Sequence, residues 1–563
     1  IIGEYDCVCA FIDAHTRKKT NYNPDLIFSC DLTKERSFCT LMAALKTDAP
    51  QAIISSSEVL TVGITEALTL SHLRIPEDIT VITLGIECWN SSGYHPGILH
   101  TSRRAFSLGK ECMELLLKNI QEPVFFEKKF MLHQDHFSKD SFFLPPPPVR
   151  KPTPANRPKL KILATPLPTI HALELVSKDF SAQYGVDLVF EYYSLRDLFQ
   201  LICEDSHREK SEYDIYLFDV SWLSYLAQKD CFVDLTDMIQ NSSAEMTHII
   251  EKNLENTNYK GHYYGLPIIG GTNLLFYRKD IFENVSVKRM FKEQHNLSLR
   301  PPKTWAEFNG ISKFFTREYN PDSPTHYGTA ITGSLSEELF LEICVRLWSY
   351  GGGLYDPNNR LILNSPANIR GFKSLLETCN YISGDPFSQT RQETFRQFCN
   401  GEIAMMLSFT EYASELKTYL ELDSDSDLKI GYSIMPGKTP ANVGWHLGVS
   451  PTTEKFGLIS EFFRWIYFKH ISYYMTILDG QSVMRYPYHN HELLKLYPWL
   501  EITEEGISLS RSRFYPSRKN APAVPPYRVE AVLCNVFKNI YLHEKPIQDA
   551  LNAGQKEMTS LFL

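Results

Sequence analysis

The sequence predicts an α/β protein in two parts, and three observations predict it. The chain has 563 residues, more than one hydrophobic core usually supports, and 43% of them are hydrophobic and 22% charged, as in globular proteins. Short apolar runs alternate with helical patterns, which is typical of parallel sheets covered by helices. Between Leu144 and Lys159 a proline-rich segment interrupts the alternation and predicts a semi-rigid spacer.

The part before the spacer begins with alternating elements. Apolar residues at helical spacing predict helices, and short apolar runs bounded by polar residues predict strands. The predicted strands are Leu26–Cys30, Ala52–Ser55 and Ile79–Leu84, and the predicted helices are Thr33–Leu45, Glu58–Ser71 and Phe106–Ile120.

The part after the spacer continues the same pattern over a longer stretch. Its predicted strands are Leu160–Ala164, Asp187–Tyr192 and Tyr213–Phe218. Thr304 is expected to cap a helix, with Glu307 completing a capping box and Trp305 in the core. The predicted helices are Ala172–Tyr184, Trp305–Arg317, Glu337–Tyr350, Ala367–Ile382, Arg391–Asn400 and Lys455–Phe468.

Composition excludes several classes of protein for these residues. A net charge of -9 argues against a broad nucleic-acid-binding face. No window approaches 18 continuous apolar residues, and the N-terminus has no secretory pattern, so we expect neither an anchor nor export. The twelve cysteines are scattered, which favours a reducing cytoplasm. No metal or cofactor site and no catalytic motif is predicted.

The segment Ala49 to Asn90, "APQAIISSSEVLTVGITEALTLSHLRIPEDITVITLGIECWN", resembles the effector-binding domain of the lactose-repressor family. His100 to Ile120 is similar to a later helix of that family. The resemblance covers about residues 1–135 and implies the last part of a type I periplasmic-binding-protein lobe. It also implies a homodimer, and a DNA-reading helix-turn-helix upstream of Ile1.

Several positions depart from the family pattern at its effector site. Cys7 stands where the family often has Arg, and Ala10 replaces a Gly. Ser57 and Glu58 stand for Asn and Asp, and Glu87 for an Asp. Loss of a forked guanidinium removes bidentate recognition of a ligand, so these departures favour a scaffold or dimerisation role for residues 1–142.

The part from Lys159 to Leu563 resembles the sugar-binding proteins of ABC importers, the extracellular solute-binding family that includes maltose-binding protein. The resemblance implies a two-lobed, type II periplasmic-binding-protein domain over residues 159–563, after a linker at 143–158. Six motifs occur in the family's order: "YDIYLFDVSWLSYLAQKDCFVDLTD" at 213–237, "YKGHYYGLPIIGGTNLLFYRKDIF" at 259–282, "PPKTWAEF" at 301–308, "LWSYGGGLYD" at 347–356, "FCNGEIAMMLSF" at 398–409 and "VGWHLGVSPTT" at 443–453.

A sugar presents apolar faces and a rim of hydroxyls, so its site needs aromatic rings and polar acceptors in a cleft. Candidates should lie at strand ends and in loops. By motif position the candidates are Asp219, Trp222, Gly270, Gly271, Thr272, Glu411 and Trp445, with Trp348 and Arg485 as rim residues.

Each main candidate also has a structural interpretation. Trp222 could instead staple the helix that starts at Ser221. Glu411 could be a solvated carboxylate at a helix start. Trp445 is the strongest candidate for the cleft, because Gly444 before it allows close backbone approach.

Taken together, the two resemblances predict the non-enzymatic sensory part of a lactose-repressor-type regulator. Its second domain would bind a carbohydrate and control DNA binding through cleft closure in the cytoplasm. The alternative is the sugar-binding component of an ABC importer, acting outside the membrane.

Overall fold

The computed structural model describes residues 2–19, 24–46, 50–86, 97–102, 109–114, 116–117, 157–241, 246–356, 358–416, 428–513 and 524–562. They form two compact units. One comprises Ile1–Pro158 with Leu175–Asp187, and the other comprises Lys159–Glu174 with Leu188–Leu563. Most of the expected spacer, residues 143–156, lies outside the described residues.

The first unit contains a three-stranded parallel sheet in the order β1-β2-β3. Thr33 and Ser57 cap two of its helices through their hydroxyls, as such residues do at helix starts. The predicted elements near residues 33–45, 52–55, 58–71 and 79–84 are confirmed. The strands are β1 (Ala52–Ser55), β2 (Thr80–Ile86) and β3 (Leu99–Ser102), and the helices are α1 (Ile2–Lys18), α2 (Lys34–Ala44) and α3 (Glu58–Leu70).

The strand predicted at Leu26–Cys30 is wrong. Pro24–Leu26 forms a 3₁₀ turn, and residues 27–30 have no regular structure. Leu26 and Phe28 are exposed, so the apolar run that predicted a strand lacks a covering layer. Of the helix predicted at Phe106–Ile120, residues 109–114 and 116–117 are helical, and the other positions lie outside the described residues, as does Glu87.

The second unit is built on a seven-stranded mixed sheet. Its main path runs β10-β9-β12-β6-β4-β5, and β11 pairs with β9. A separate hairpin joins β7 to β8. The strands are β4 (Lys159–Ala164), β5 (Asp187–Tyr192), β6 (Ile215–Asp219), β7 (Asn258–Tyr259), β8 (His262–Tyr263), β9 (Leu266–Arg278), β10 (Met405–Phe409), β11 (Ile430–Ser433) and β12 (Asn442–Val449).

Strand β9 divides this unit into two lobes. Its first half, up to Thr272, pairs with β12, and its second half, from Asn273, pairs with β10 and β11. We call the part on β4, β5, β6 and β12 the first lobe, the part on β10 and β11 the second lobe, and the change at Thr272 and Asn273 the crossover. The chain crosses again between β11 and β12.

Helices flank the sheet, and the second lobe has its own apolar core, to which Trp305 belongs as predicted. The predicted helices after the spacer are confirmed within a few residues at each end. They are α4 (Pro168–Tyr184), α5 (Leu195–Asp205), α6 (Leu223–Gln228), α7 (Thr236–Asn241), α8 (Glu251–Glu255), α9 (Lys279–Glu283), α10 (Val285–His295), α11 (Trp305–Phe314), α12 (Ser336–Ser349), α13 (Pro366–Thr378), α14 (Arg391–Cys399), α15 (Phe456–Ile466), α16 (Lys469–Ile477), α17 (His491–Leu496), α18 (Leu500–Leu509), α19 (Pro526–Leu542) and α20 (Ile547–Leu561).

The cap predicted for α11 is confirmed, but its capping box is wrong. The Thr304 hydroxyl accepts a hydrogen bond from the Glu307 amide. The Glu307 carboxylate instead accepts from the Lys303 amide and from Arg300, because that guanidinium is within reach. A complete capping box occurs at α14, between Thr390 and Glu393, which the sequence analysis did not identify.

Candidate ligand-binding site

The candidate site begins where β6 ends. Asp219 is the last residue of this buried strand, and its carboxylate accepts hydrogen bonds from the amide and hydroxyl of Ser221. Both oxygens of this carboxylate also accept hydrogen bonds from Arg513, whose Nη2 lies 2.7 Å from Oδ1 and 2.7 Å from Oδ2. Asp219 is therefore held by a buried cation, and its position is well defined.

Arg513 also reaches the second lobe. Its Nη1 donates to Oε1 of Glu530 at 3.2 Å, and Glu530 lies on α19 beside the core of the second lobe. Two carboxylates from different lobes thus share one buried guanidinium. A buried cation that pairs with one carboxylate of each lobe links the two lobes in this conformation.

The aromatic candidates meet at the same place. Trp445 lies opposite Asp219 in the β6–β12 pair, and its ring stands edge-on to Trp222, with centroids 5.9 Å apart. Phe199 also contacts Trp222, with ring centroids 5.2 Å apart. Trp445 is only 5% exposed, whereas Trp222 is half-buried.

Tyr527, which the sequence analysis missed, completes the aromatic cluster. It lies at the start of α19, is 57% exposed, and its ring is 6.1 Å from that of Phe199. An exposed ring beside half-buried ones offers the apolar face that a sugar ring stacks on. Its position after the prolines 525 and 526, at a helix start, is the sequence signal that could have found it.

The glycine and threonine candidates lie on β9 at the crossover. A Cβ atom on Gly270 would meet Asn253 Nδ2 at 2.5 Å, so this glycine is required by packing within the first lobe. At Gly271 the same atom would have ordinary contacts, 3.4 Å from the Val443 carbonyl oxygen. Thr272 is fully buried, and its hydroxyl donates to the Ala441 carbonyl, which joins the two crossing segments.

Glu411 follows β10 in a short 3₁₀ turn and is 2% exposed. Within the described chain its Oε1 has no hydrogen-bond partner. Burial raises the pKa of this carboxyl to about 7, although Arg391 lowers it, and the charge of Asp219 raises it further. The expected solvated carboxylate at a helix start is therefore not what the structure contains.

Two cavities open beside these residues. The first, about 30 Å³, lies in the second lobe next to the crossover. The second, about 80 Å³, lies where the residues after β6 meet Ser512 and Arg513. The first is lined by Asn273, Thr332, Glu338, Leu341, Glu342, Arg391, Leu407, Ser408 and Phe409. The second is lined by Val220, Leu223, Ser224, Glu255, Asn256, Asn258, Tyr259, Ser512 and Arg513.

The main candidates thus stand next to the linings of the two cavities. Val220 of the second cavity follows Asp219, Asn273 of the first follows Thr272, and Glu411 comes two residues after Phe409. The sequence analysis did not identify the charged residues that line the cavities: Glu255, Glu338, Glu342, Arg391 and Arg513. For Arg391 a signal existed, since the capping box places it at the first turn of α14.

The two rim candidates lie elsewhere. Trp348, half-buried on α12, packs on the core of the second lobe and approaches Gly353. Arg485 is paired with Glu504 in the first lobe, at 3.2 Å, and His489 binds the same carboxylate. Neither side chain belongs to the lining of the two cavities.

A two-lobed α/β fold with polar cavities and an aromatic cluster beside the strand that joins the lobes defines a ligand-binding protein of the clamp type. Residues 170–469 match the family described as bacterial extracellular solute-binding protein. The chain belongs to this family.

Solved structures of the same fold support that assignment. A solute-binding protein of an ABC transporter from Agrobacterium radiobacter K84, in complex with ribitol, is 20% identical, with a TM-score of 0.57 over 72% of this chain and 99% of that one. T. maritima MalE3 with bound maltose is 18% identical, with a TM-score of 0.57 over 72% and 99%. At these identities the similarity establishes the fold.

A putative binding protein from Brucella abortus is 22% identical over 267 residues, 47% of this chain. The matched stretch spans 59% of that relative's own length. The family and the solved structures overturn the interpretation as a transcription regulator of the lactose-repressor type. They support the importer component, which the sequence analysis held as the alternative. The cytoplasmic location is likewise unsupported, since the matched family is extracellular.

Proposed function

We propose that this chain is the solute-binding component of an ABC importer and that its ligand is a sugar or a polyol. The observation that carries the proposal is the meeting of aromatic and charged side chains at the crossover between two lobes. Trp222 and Asp219 belong to the first lobe, and Tyr527, Glu411 and Arg391 belong to the second. Ribitol and maltose are bound by the similar proteins of known structure.

The proposed mechanism is capture without covalent chemistry. The ligand would bind between the lobes, its apolar face on the Tyr527 ring and its hydroxyls on the polar lining of the cavities. Contacts made to both lobes at once favour the closed form, so ligand binding shifts the equilibrium between open and closed lobes. The closed form would then be the one that a transporter recognises.

The proposed location is outside the cytoplasmic membrane, as the family description implies. No helix in the part of the chain that the structure describes has the length and hydropathy to cross a bilayer. The domain boundaries at 142 and 158 and the homodimer stay predictions.

Calorimetric titration with pentitols, hexitols, monosaccharides and maltose tests the proposal. We expect at least one of these ligands to bind. Tyr527→Ala should weaken that ligand about three- to tenfold, because one stacked ring is removed. The control is Tyr327→Ala, which removes another exposed tyrosine ring of the second lobe and should leave affinity unchanged. If no ligand of the panel binds, the proposed function is wrong.

A further inference from the structure

Two cysteine thiols meet in the first lobe, beside the aromatic cluster. Cys203 lies near the end of α5, and Cys231 follows α6 after the turn at Lys229 and Asp230. Cys231 is fully buried, whereas Cys203 is half-buried. Their spacing along the chain matches no paired-cysteine motif, so the fold alone brings them together.

The packing of α5 on α6 places the two thiols against each other. Phe199, one turn before Cys203 on α5, has its ring centroid 5.3 Å from that of Tyr225 on α6. The Cys231 amide donates to the Leu226 carbonyl at 3.0 Å, which folds the chain after α6 back onto that helix. The Cys203 thiol donates a hydrogen bond to the Cys231 sulfur. The two sulfur atoms are therefore direct neighbours.

The surroundings of the pair favour a thiolate at Cys231. The hydrogen bond from Cys203 lowers the pKa of Cys231 to about 7, although burial opposes this effect. The hydroxyl of Ser206 and the charge of His207 lower this pKa further, and Asp230 raises it. The same hydrogen bond and burial raise the pKa of Cys203. One sulfur thus holds the proton and the other the charge, and a thiolate is the form that reacts with disulfides.

We propose that Cys203 and Cys231 form an intramolecular disulfide when the folded protein meets a disulfide donor. The link would join α5 to α6 and so fix Phe199 relative to Trp222, the two rings that meet in the aromatic cluster. The inference goes beyond the proposed function, because no solute takes part in it. The location proposed above, outside the cytoplasmic membrane, is one in which disulfides form and persist.

The exchange needs one donor, a disulfide such as oxidised glutathione, and has two steps. In the first, the more accessible Cys203 passes its proton to the Cys231 sulfur and attacks the donor, whose S–S bond breaks and releases a thiolate. In the second, Cys231 gives that proton to the released thiolate and attacks the Cys203 sulfur. The second donor thiolate leaves and takes up the proton that Cys231 had lost to water. Two electrons pass from the cysteine pair to the donor, which becomes two thiols.

The test treats the folded full chain with oxidised glutathione, followed by alkylation, proteolysis without reductant and mass spectrometry. We expect a linked pair of peptides that contain Cys203 and Cys231, lighter by about 2 Da than the two thiol peptides together. Dithiothreitol should remove the link. The oxidised chain should also melt at a higher temperature than the reduced chain, because the link restricts the unfolded state.

Three variants assign the effect to this pair. Cys231→Ser keeps the more accessible thiol without its partner, so Cys203 should accumulate as a mixed disulfide with glutathione. Cys203→Ser leaves the buried thiol, which should react at least about tenfold more slowly than Cys203 does in the other variant. The control is Cys399→Ser, which removes a half-buried thiol of α14 in the second lobe and should retain the linked peptides. Circular dichroism establishes that each variant is folded.

Three outcomes would overturn the inference. The first is that Cys203 and Cys231 of the folded parent stay free thiols or carry only glutathione. The second is that either of them links to a third cysteine instead. The third is that the oxidised and reduced parent have the same melting temperature. None of these outcomes bears on sugar or polyol binding, which calorimetric titration tests separately.

Discussion

At the scale of single residues, burial decides which polar groups carry a charge. Glu411 and His446 illustrate the two signs. Burial raises the pKa of Glu411 to about 7 and lowers that of His446 to about 3, because removal from water disfavours the charged form of each. The first is therefore neutral in mildly acidic solution, and the second is neutral throughout the physiological range.

The raised pKa of Glu411 gives stability a pH dependence. The unfolded carboxyl ionises near pH 4.5, whereas the folded one ionises near 7. The folded state therefore loses stability between these pH values as pH rises, by on the order of 3 kcal/mol if the shift acts alone. Glu411→Gln should be more stable than the parent at pH 8 and equal to it at pH 4.

Urea unfolding at both pH values measures this difference. Glu318→Gln serves as the control, because it removes the same charge from an exposed position. Equal stability differences at pH 4 and pH 8 would contradict the assignment of the raised pKa to Glu411.

At the scale of elements, strand β9 is the structural basis of the site. Its first half packs closely on the first lobe, which is why Gly270 has no space for a side chain. Its second half carries Asn273, whose Oδ1 accepts from the Ala441 amide at 2.7 Å. Two crossing segments are thereby joined at the point where the lobes meet, and the cavities form on either side of that junction.

Gly270→Ala tests this packing. The added methyl would lie 2.9 Å from the Ser482 carbonyl oxygen as well as against Asn253, so we expect a loss of about 1–3 kcal/mol in the free energy of unfolding. Gly310→Ala is the matched control, because its Cβ would meet nothing within 4 Å in helix α11. That substitution should be neutral or stabilise by up to about 1 kcal/mol.

Thermal denaturation of the two alanine variants compares them directly. The prediction is wrong if Gly270→Ala has the same melting temperature as the parent protein. Residue 270 of β9 would then have enough space for a methyl group.

At the scale of the whole second unit, Arg513 connects the lobes through Asp219 and Glu530. Arg513→Met keeps most of the side-chain volume and removes the charge, leaving two buried carboxylates. We expect a loss of about 3–5 kcal/mol in unfolding free energy, or an opening of the lobes that hydrates them. Small-angle scattering would register that opening as a larger radius of gyration.

Arg464→Met is the control for this prediction. Its guanidinium pairs with Glu461 on an exposed face, at 3.1 Å, so its removal should cost at most about 1 kcal/mol. If Arg513→Met changes neither the free energy of unfolding nor the radius of gyration, the contacts of Arg513 with Asp219 and Glu530 do not hold the lobes together.

The sequence by itself determined the type of most of the elements that it predicted, because caps and apolar periodicity are local properties of the chain. From their positions in the family motifs it also predicted that Asp219, Trp222 and Trp445 belong to one cleft. The wrong strand prediction at Leu26–Cys30 also rested on a local pattern. An apolar run predicts a strand only if a neighbouring layer covers it, and here Leu26 and Phe28 remain exposed.

Only the tertiary structure decided how the polar groups pair. Arg513 binds Asp219 across 294 positions of sequence, and the cavity that sets Glu342 beside Arg391 joins two helices far apart in the chain. Such pairings depend on where the crossover places each lobe, which no local pattern records.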